Sequence, residues 1–282
     1  MTLQITTLCE NTATFGYKAE WGLSMLVNYN DFTFLLDTGM TDIGVQNGLK
    51  HNIDFKSINS IVLSHGHLDH TGGLSYFLEH TGPVNVIGHP DIFNRKFSTN
   101  HQAPDDDISM PFTKNEYEKM GALFTLAKDP VEIAPGIITS GEVKMETPFE
   151  KLDSSLLSET PKNQNSKRVL DNLNDDLSIA ISTPKGLFIL LGCAHKGPVN
   201  IIKHFIKITG EKRVYGVAGG LHMSRANEQR IKETSSFFKE CGINKVASSH
   251  CTGFNATSYL SKEFQTGFIH NNSGKKLIFD EL

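Results

Sequence analysis

The chain has 282 residues, which is enough for a substantial hydrophobic core and near the upper limit of a single domain. Its 38% hydrophobic and 21% charged residues are typical of a soluble globular protein. The formal net charge of −4 gives no electrostatic reason to expect nucleic acid or a membrane as partner. The N-terminus has no signal-peptide pattern and no apolar run could cross a bilayer, so we expect a cytoplasmic protein.

The first part of the chain predicts strands and helices in alternation. A weakly alternating run over 3–8 is followed by two apolar runs, 24–29 and 32–36, whose Asn30-Asp31 junction indicates a β-hairpin. The elements predicted next are a helix over 41–50, a strand over 58–64, a helix over 73–80 and a strand over 84–88.

The last part of the chain repeats this order. Apolar runs over 177–182 and 187–191 predict a second hairpin. The elements predicted after it are a helix over 198–208, a strand over 214–218, a helix over 226–241, a strand over 245–249 and a closing edge strand over 276–279. We therefore expect two similar halves.

The segment from about 97 to 174, between these halves, has a different composition. It ends in a polar tract over 151–174 that is rich in Ser, Asn, Lys and Asp. We interpret it as an insertion within a single domain that spans 1–282, and we expect it to act as a lid or a mobile loop.

Three imidazoles and one carboxylate lie within six residues, directly after the apolar run 61–63: His65, His67, Asp69 and His70. Imidazole nitrogen and carboxylate oxygen are ligands suited to Zn²⁺, Fe or Mn²⁺. Two pairs of ligands aimed at neighbouring points suit two metals roughly 3.5–4 Å apart, an arrangement used for hydrolysis. The four cysteines, by contrast, include no CxxC pair, which argues against a zinc ribbon or a disulfide scaffold.

Several predicted strands are each followed directly by a histidine: His65, His89, His195, His222 and His250. A single histidine after a strand is usually an ordinary loop residue. Because the ends of strands collect at one rim of a sheet, however, these side chains can converge although they are far apart in sequence.

The HxHxDH pattern, together with Asp37-Thr38-Gly39 after the first hairpin, resembles the metallo-β-lactamase superfamily. This resemblance implies an α/β fold, a four-layer αββα sandwich of two pseudo-symmetric halves with a dinuclear metal site at the sheet rims. The runs 192–195, 219–222 and 249–253 are similar to one branch of the superfamily. Its members are labelled 7,8-dihydropterin-6-methyl-4-(β-D-ribofuranosyl)aminobenzene 5′-phosphate synthases or metal-dependent hydrolases.

The resemblance implies these candidate metal ligands: His65, His67, Asp69, His70, Cys193, His195 and His250. Asp69 and His70 would serve the second metal, while His195 and His250 are alternatives for the third ligand of the first. Superfamily hydrolases usually bridge the metals with an aspartate after the strand that corresponds to 187–191. Cys193 occupies that place here, and a thiolate would favour zinc or iron or leave the second site weak.

Asp176 is open to two interpretations, as a replacement ligand or as a turn cap. We expect His222 and His89 to transfer protons or contact phosphate, and Asp69 to orient the nucleophile besides binding metal. Arg95 and Lys96 could contact a phosphate, although we expect them on the solvated surface.

The resulting hypothesis is a hydrolase with up to two divalent ions, Zn²⁺ first and Fe or Mn²⁺ as alternatives. It would act on a phosphate ester or related small molecule through a metal-activated water. A pterin-binding transferase, in which a C–N bond forms as pyrophosphate leaves, is the first alternative. Its aromatic slot could be furnished by Trp21, Phe93, Phe97 or Phe149, although each of these is more often a core residue. A non-catalytic metal-dependent binding protein is the second. The partner is a phosphorylated or pterin-like small molecule, and a homo-oligomer is left open.

Overall fold

The computed structural model describes residues 2–99, 106–159 and 167–280. Its described strands, numbered in chain order, form two seven-stranded sheets and one four-stranded sheet. The first large sheet contains β1 (Leu3–Cys9), β2 (Ser24–Tyr29), β3 (Phe32–Leu36), β4 (Ser60–Val62), β5 (Val84–Gly88), β8 (Ala122–Leu126) and β18 (Lys276–Phe279). Their spatial order is β18-β1-β2-β3-β4-β5-β8.

The second large sheet has the order β17-β16-β15-β14-β13-β10-β9 in space. Its strands are β9 (Glu132–Ala134), β10 (Ile137–Thr139), β13 (Ser178–Thr183), β14 (Gly186–Leu191), β15 (Val214–Gly220), β16 (Lys245–Ser249) and β17 (Phe268–His270). In both sheets three antiparallel pairings are followed by three parallel pairings. The expectation of two similar halves is confirmed.

Helices cover the outer faces of both large sheets. They are α1 (Ile43–Lys50), α2 (Leu68–Thr71), α3 (Leu74–Thr81), α4 (Lys114–Lys119), α5 (Pro198–Thr209), α6 (Glu228–Glu240) and α7 (Phe254–Phe264). None of the helices in the described ranges is long and apolar enough to span a membrane.

Three apolar clusters define the layers. One lies between the two sheets, where residues such as Val27 and Phe34 of the first meet Ile181 and Phe188 of the second. A second cluster packs α5, α6 and α7 on the second sheet, and a third packs α1 and α3 on the first. Burial of one apolar face on each helix and of both faces on each sheet gives the expected four-layer αββα sandwich.

The third sheet consists of β6 (Lys96–Ser98), β7 (Asp106–Asp107), β11 (Leu156–Glu159) and β12 (Arg168–Leu170), in the order β12-β11-β6-β7. All of its strands come from the expected insertion or its edge. The same range also supplies β8 to the first large sheet and β9 and β10 to the second. Its stretches 100–105 and 160–166 lie outside the described residues, and its action as a lid stays a prediction.

Lys96 ties the third sheet to the body of the protein, and the expectation of a solvated position for it is wrong. Its side chain is 1% exposed, and its Nζ donates to Asp171 Oδ2 at 2.8 Å and to Asp175 Oδ1 at 2.9 Å. Asp175 Oδ2 also accepts the backbone N–H of Gly66 at 2.8 Å. Two buried carboxylates compensate the ammonium, so the charge can leave water.

We predict that Lys96→Met lowers the free energy of unfolding by about 3 kcal/mol or more, since it leaves two buried carboxylates without their cation. Lys114→Met is the matched control, because Lys114 forms only an exposed pair with Glu118. That change should cost less than about 0.5 kcal/mol. Urea unfolding measures both, and equal losses would contradict a structural role for Lys96.

Candidate metal centre

Polar side chains collect at the carboxyl ends of the parallel strands. The chain leaves β3, β4, β14, β15 and β16 at one rim, where the side chains that follow these strands are buried or half-buried. Ligand sites of open α/β sheets lie at this edge. The residues that follow these strands are Asp37, His65, His67, Cys193, His195, His222 and His250.

His65, His67 and His195 form the first group, which we call trio one. His65 Nε2 lies 2.9 Å from His67 Nδ1 and 3.2 Å from His195 Nε2. All three rings are at most 5% exposed, and their ligand atoms lie within 4.8 Å of one another. Three converging imidazole nitrogens form a donor set suited to zinc.

Asp69, His70 and His250 form the second group, trio two. His70 Nε2 lies 3.2 Å from His250 Nε2, and Asp69 Oδ2 lies 3.3 Å from His250 Nε2 and 3.7 Å from His70 Nε2. His195 and His250 are the alternatives that the sequence offers for the third ligand of the first metal. In the structure His195 lies in trio one and His250 in trio two.

Cys193 lies between the two trios. Its Sγ is 3.2 Å from His70 Nε2, and it shares ligand-distance groups with His65, with His195 and with His250. Cys251, whose Sγ contacts the Cys193 carbonyl at 3.4 Å, belongs to the same neighbourhood but was not among the predicted ligands. Burial raises the pKa of the Cys193 thiol well above its usual value.

The outer ring nitrogens of three histidines contact oxygen acceptors. His70 Nδ1 lies 2.7 Å from Asp37 Oδ2, and His250 Nδ1 lies 2.9 Å from Asn11 Oδ1. His65 Nδ1 lies 2.9 Å from Ser64 Oγ, which donates its own proton to Asp37 Oδ2 at 2.7 Å. Such contacts place a proton on Nδ1 and turn each Nε2 inward, as in histidines that bind metal.

The turns at this rim are strained. Asp37, Ala194, His222 and His250 all have positive φ, between 45° and 59°. Residues other than glycine rarely adopt this conformation, and it is concentrated at functional sites. Gly66 is required for a different reason, because a Cβ there would lie 2.2 Å from the carbonyl oxygen of Ile92.

The two trios differ in the charge of their side chains. Burial, followed by the Lys96 ammonium, lowers the pKa of His67 to about 3, so this ring is neutral. Burial lowers the pKa of His70 as well, but Asp37 and Asp69 outweigh it and raise that pKa to about 9. Burial by itself would raise the pKa of Asp69, but the neighbouring His70 and His250 rings outweigh it. The net effect lowers that pKa below its usual value, so the carboxylate is charged.

The residues fit a bound cation. Ring nitrogens 2.9–3.2 Å apart face one another in both trios, so several potential metal ligands converge at each point. The other nitrogens of two of these rings, His67 Nε2 and His195 Nδ1, are buried and have no hydrogen-bond partner among the described residues. The convergence of the inner nitrogens is the observation that fits a site built for divalent metal.

Three other candidate residues take different positions. His222 lines the cavity above the trios, with its ring centroid 4.2 Å from that of His195 and its Nε2 3.9 Å from Asp153 Oδ2. His89 is buried against Glu142 and does not line this cavity, so the structure does not bring it to the site. Asp176 Oδ2 accepts the backbone N–H of Lys196 at 2.8 Å, which supports the capping interpretation.

A cavity of about 770 Å³ opens above the two trios. Trp21 is 56% exposed on its wall, with its ring centroid 5.3 Å from that of His250. Three cationic side chains, Lys151, Arg225 and Arg230, also line it. No motif or spacing in the sequence indicates these three. Arg95 lies on the solvated surface as expected, where it is 54% exposed and pairs with Asp107 and Glu159.

Comparison with known proteins supports this architecture. The sequence profile of the metallo-β-lactamase superfamily matches residues 22–129. A Methanocaldococcus jannaschii protein is 36% identical to this chain, and it is named 7,8-dihydropterin-6-methyl-4-(β-D-ribofuranosyl)-aminobenzene-5′-phosphate synthase. The match covers 98% of this chain and 97% of that protein. This chain belongs to the metallo-β-lactamase superfamily.

Three further proteins extend the comparison. An uncharacterized M. jannaschii protein is 31% identical over 95% of this chain and 97% of its own length. The crystal structure of Tm1679, a metal-dependent hydrolase of the β-lactamase superfamily, has a TM-score of 0.81 at 26% identity and covers 98% of each chain. YhfI from Bacillus subtilis, at 14% identity and a TM-score of 0.59 over 99% of each chain, shares the fold.

We predict about two divalent ions per chain in protein purified without added metal, because the two trios provide separate ligand sets. His195→Ala should remove one ion and His250→Ala the other, as measured by elemental analysis. His80→Ala is the control, since His80 does not line the cavity and contacts the Tyr76 carbonyl of its own helix and the Phe55 ring. Wild-type metal content in both trio variants would contradict this assignment.

Proposed function

We propose that this protein is a metal-dependent hydrolase that acts on a phosphate ester or a related small molecule. The observation that carries the proposal is the pair of trios at the floor of the cavity, joined by Cys193. The proposal is also supported by Tm1679, which is described as a metal-dependent hydrolase and matches nearly the whole chain at 26% identity.

Bound divalent metal would supply Lewis acidity, which makes water a better nucleophile near neutral pH and polarises a substrate oxygen. His65, His67 and His195 would hold one ion, and Asp69, His70 and His250 the other. Zinc suits the histidine-rich donors, and the nearby Cys193 thiol adds a preference for a soft metal.

The remaining residues would orient the reactants and move protons. Asp69, whose carboxylate lies at the cavity floor, would accept a hydrogen bond from the attacking water. His222, on the cavity wall beside Asp153, would donate a proton to the departing oxygen. Trp21 would cover the substrate and exclude solvent from one side.

The direct test is hydrolysis of bis(p-nitrophenyl) phosphate and p-nitrophenyl phosphate by the metal-loaded protein. We predict that His67→Ala lowers kcat at least about a hundredfold together with metal content, because loss of a direct ligand should cost no less than loss of its supporting contacts. His80→Ala should retain both. Unchanged turnover in His67→Ala would rule out this site as the origin of the activity.

Group transfer to a pterin is the second candidate function. It is favoured by the exposed Trp21 ring in the cavity and by the synthase name of the M. jannaschii relative. In this reaction a C–N bond would form as pyrophosphate leaves, and the metals would hold the leaving group rather than a water.

Trp21 provides the readout because it is the only tryptophan in the chain. We predict that 6-hydroxymethyl-7,8-dihydropterin quenches its fluorescence by stacking, whereas adenosine at the same absorbance does so much less. Equal quenching by both compounds would argue against a pterin slot and leave hydrolysis as the single candidate.

A further inference from the structure

Arg230 lines the cavity with part of its guanidinium unpaired. It lies in the first turn of α6, where Asn227 Oδ1 accepts its backbone N–H at 2.9 Å. Its Nε and Nη2 atoms are shielded from solvent, and neither has a hydrogen-bond partner in the described part of the chain. Leaving a charged donor buried without an acceptor is unfavourable.

The two unpaired atoms belong to the same edge of the guanidinium. This edge binds two oxygens of an oxyanion side by side, a geometry that lysine cannot supply. Glu150 is the carboxylate that acts most strongly on Arg230, but its oxygens accept the backbone N–H groups of Val199 at 2.9 Å and Asn200 at 2.8 Å. Among the described residues no acceptor occupies this edge, so it is available to an oxyanion that enters the cavity.

The surrounding wall favours an anion with more than one charge. Lys151 and Arg225 line the same cavity and are exposed. Two of the described acidic residues line the cavity: Asp69, which belongs to trio two, and Asp153, whose Oδ2 lies 3.9 Å from His222 Nε2. Because both carboxylates have cationic or imidazole partners, the three cations suit a phosphate dianion better than a carboxylate.

We propose that Arg230, assisted by Arg225 and Lys151, binds a phosphate monoester group of the substrate that takes no part in the reaction. This inference rests on the proposed function, since it assumes that the substrate enters the cavity above the trios. Because Nε and Nη2 are shielded from solvent, this binding requires a change in the side-chain torsions of Arg230 that turns the edge towards the cavity. Arg230 thus selects substrates by a phosphate remote from the bond that is broken or formed.

The experiment is calorimetric titration of inorganic phosphate into the metal-loaded protein. We expect Arg230→Gln to weaken phosphate binding roughly tenfold or more, because two charge-assisted hydrogen bonds are lost. Arg230→Lys keeps the charge without the two-atom edge and should weaken binding less. Arg213→Gln is the matched control, since that exposed guanidinium pairs with Glu211 outside the cavity.

The outcomes separate this inference from the proposed function, because binding is measured without turnover. If phosphate binds Arg230→Gln as tightly as wild type but fails to bind His250→Ala, the anion sits on the metals and the inference is overturned. Acetate binding tighter than phosphate would overturn the choice of phosphate. Loss of phosphate affinity in Arg230→Gln, with metal content and melting temperature unchanged, supports it even if no ester is hydrolysed.

Discussion

The buried carboxylate of Asp37 is the constraint on which the rest of the site depends. It accepts hydrogen bonds from the backbone N–H and the hydroxyl of Ser64, both at 2.7 Å, and lies 2.7 Å from His70 Nδ1. Through Ser64 it also fixes the ring of His65. One side chain at the end of β3 therefore orients a histidine of each trio. Burying this carboxylate and holding its backbone at positive φ are both unfavourable, and these contacts compensate for them.

The fold delivers the other ligands to the same place. In both halves the chain leaves parallel strands at one rim, and the sandwich presses the two rims together, so that His195 and His250 from the second sheet meet the HxHxDH turn of the first. Contacts from more distant segments complete the site. Asn11 contacts His250. Asp175 accepts the backbone N–H of Gly66 and is held in place by Lys96 of the third sheet.

Much of this arrangement was readable from local sequence. The strands over 84–88 and 245–249 match β5 and β16, because short apolar runs bounded by turn residues identify buried parallel strands. The helix α7 was missed, since Ala256 and Leu260 are its only fully buried residues and give a weak periodic signal. The gathering of histidines at one rim followed from strand ends alone. The division into two trios did not, because it depends on how the two sheets face each other.

Features that rest on contacts between distant residues could not be predicted. Lys96 looked like a surface cation because its partners, Asp171 and Asp175, lie 75 and 79 residues further along the chain. No sequence pattern distinguishes Arg230 within the helix predicted over 226–241, and only the packing of α6 beside the cavity does so. Local patterns report which residues are apolar, whereas charge compensation is decided by tertiary structure.

The most direct test of the account is anomalous X-ray diffraction from crystals of the zinc-loaded protein. The account predicts two anomalous peaks roughly 3.5–4 Å apart. One should lie among His65, His67 and His195, and the other among Asp69, His70 and His250. A single peak coordinated by Cys193 and Cys251, with the trio histidines pointing elsewhere, would contradict it.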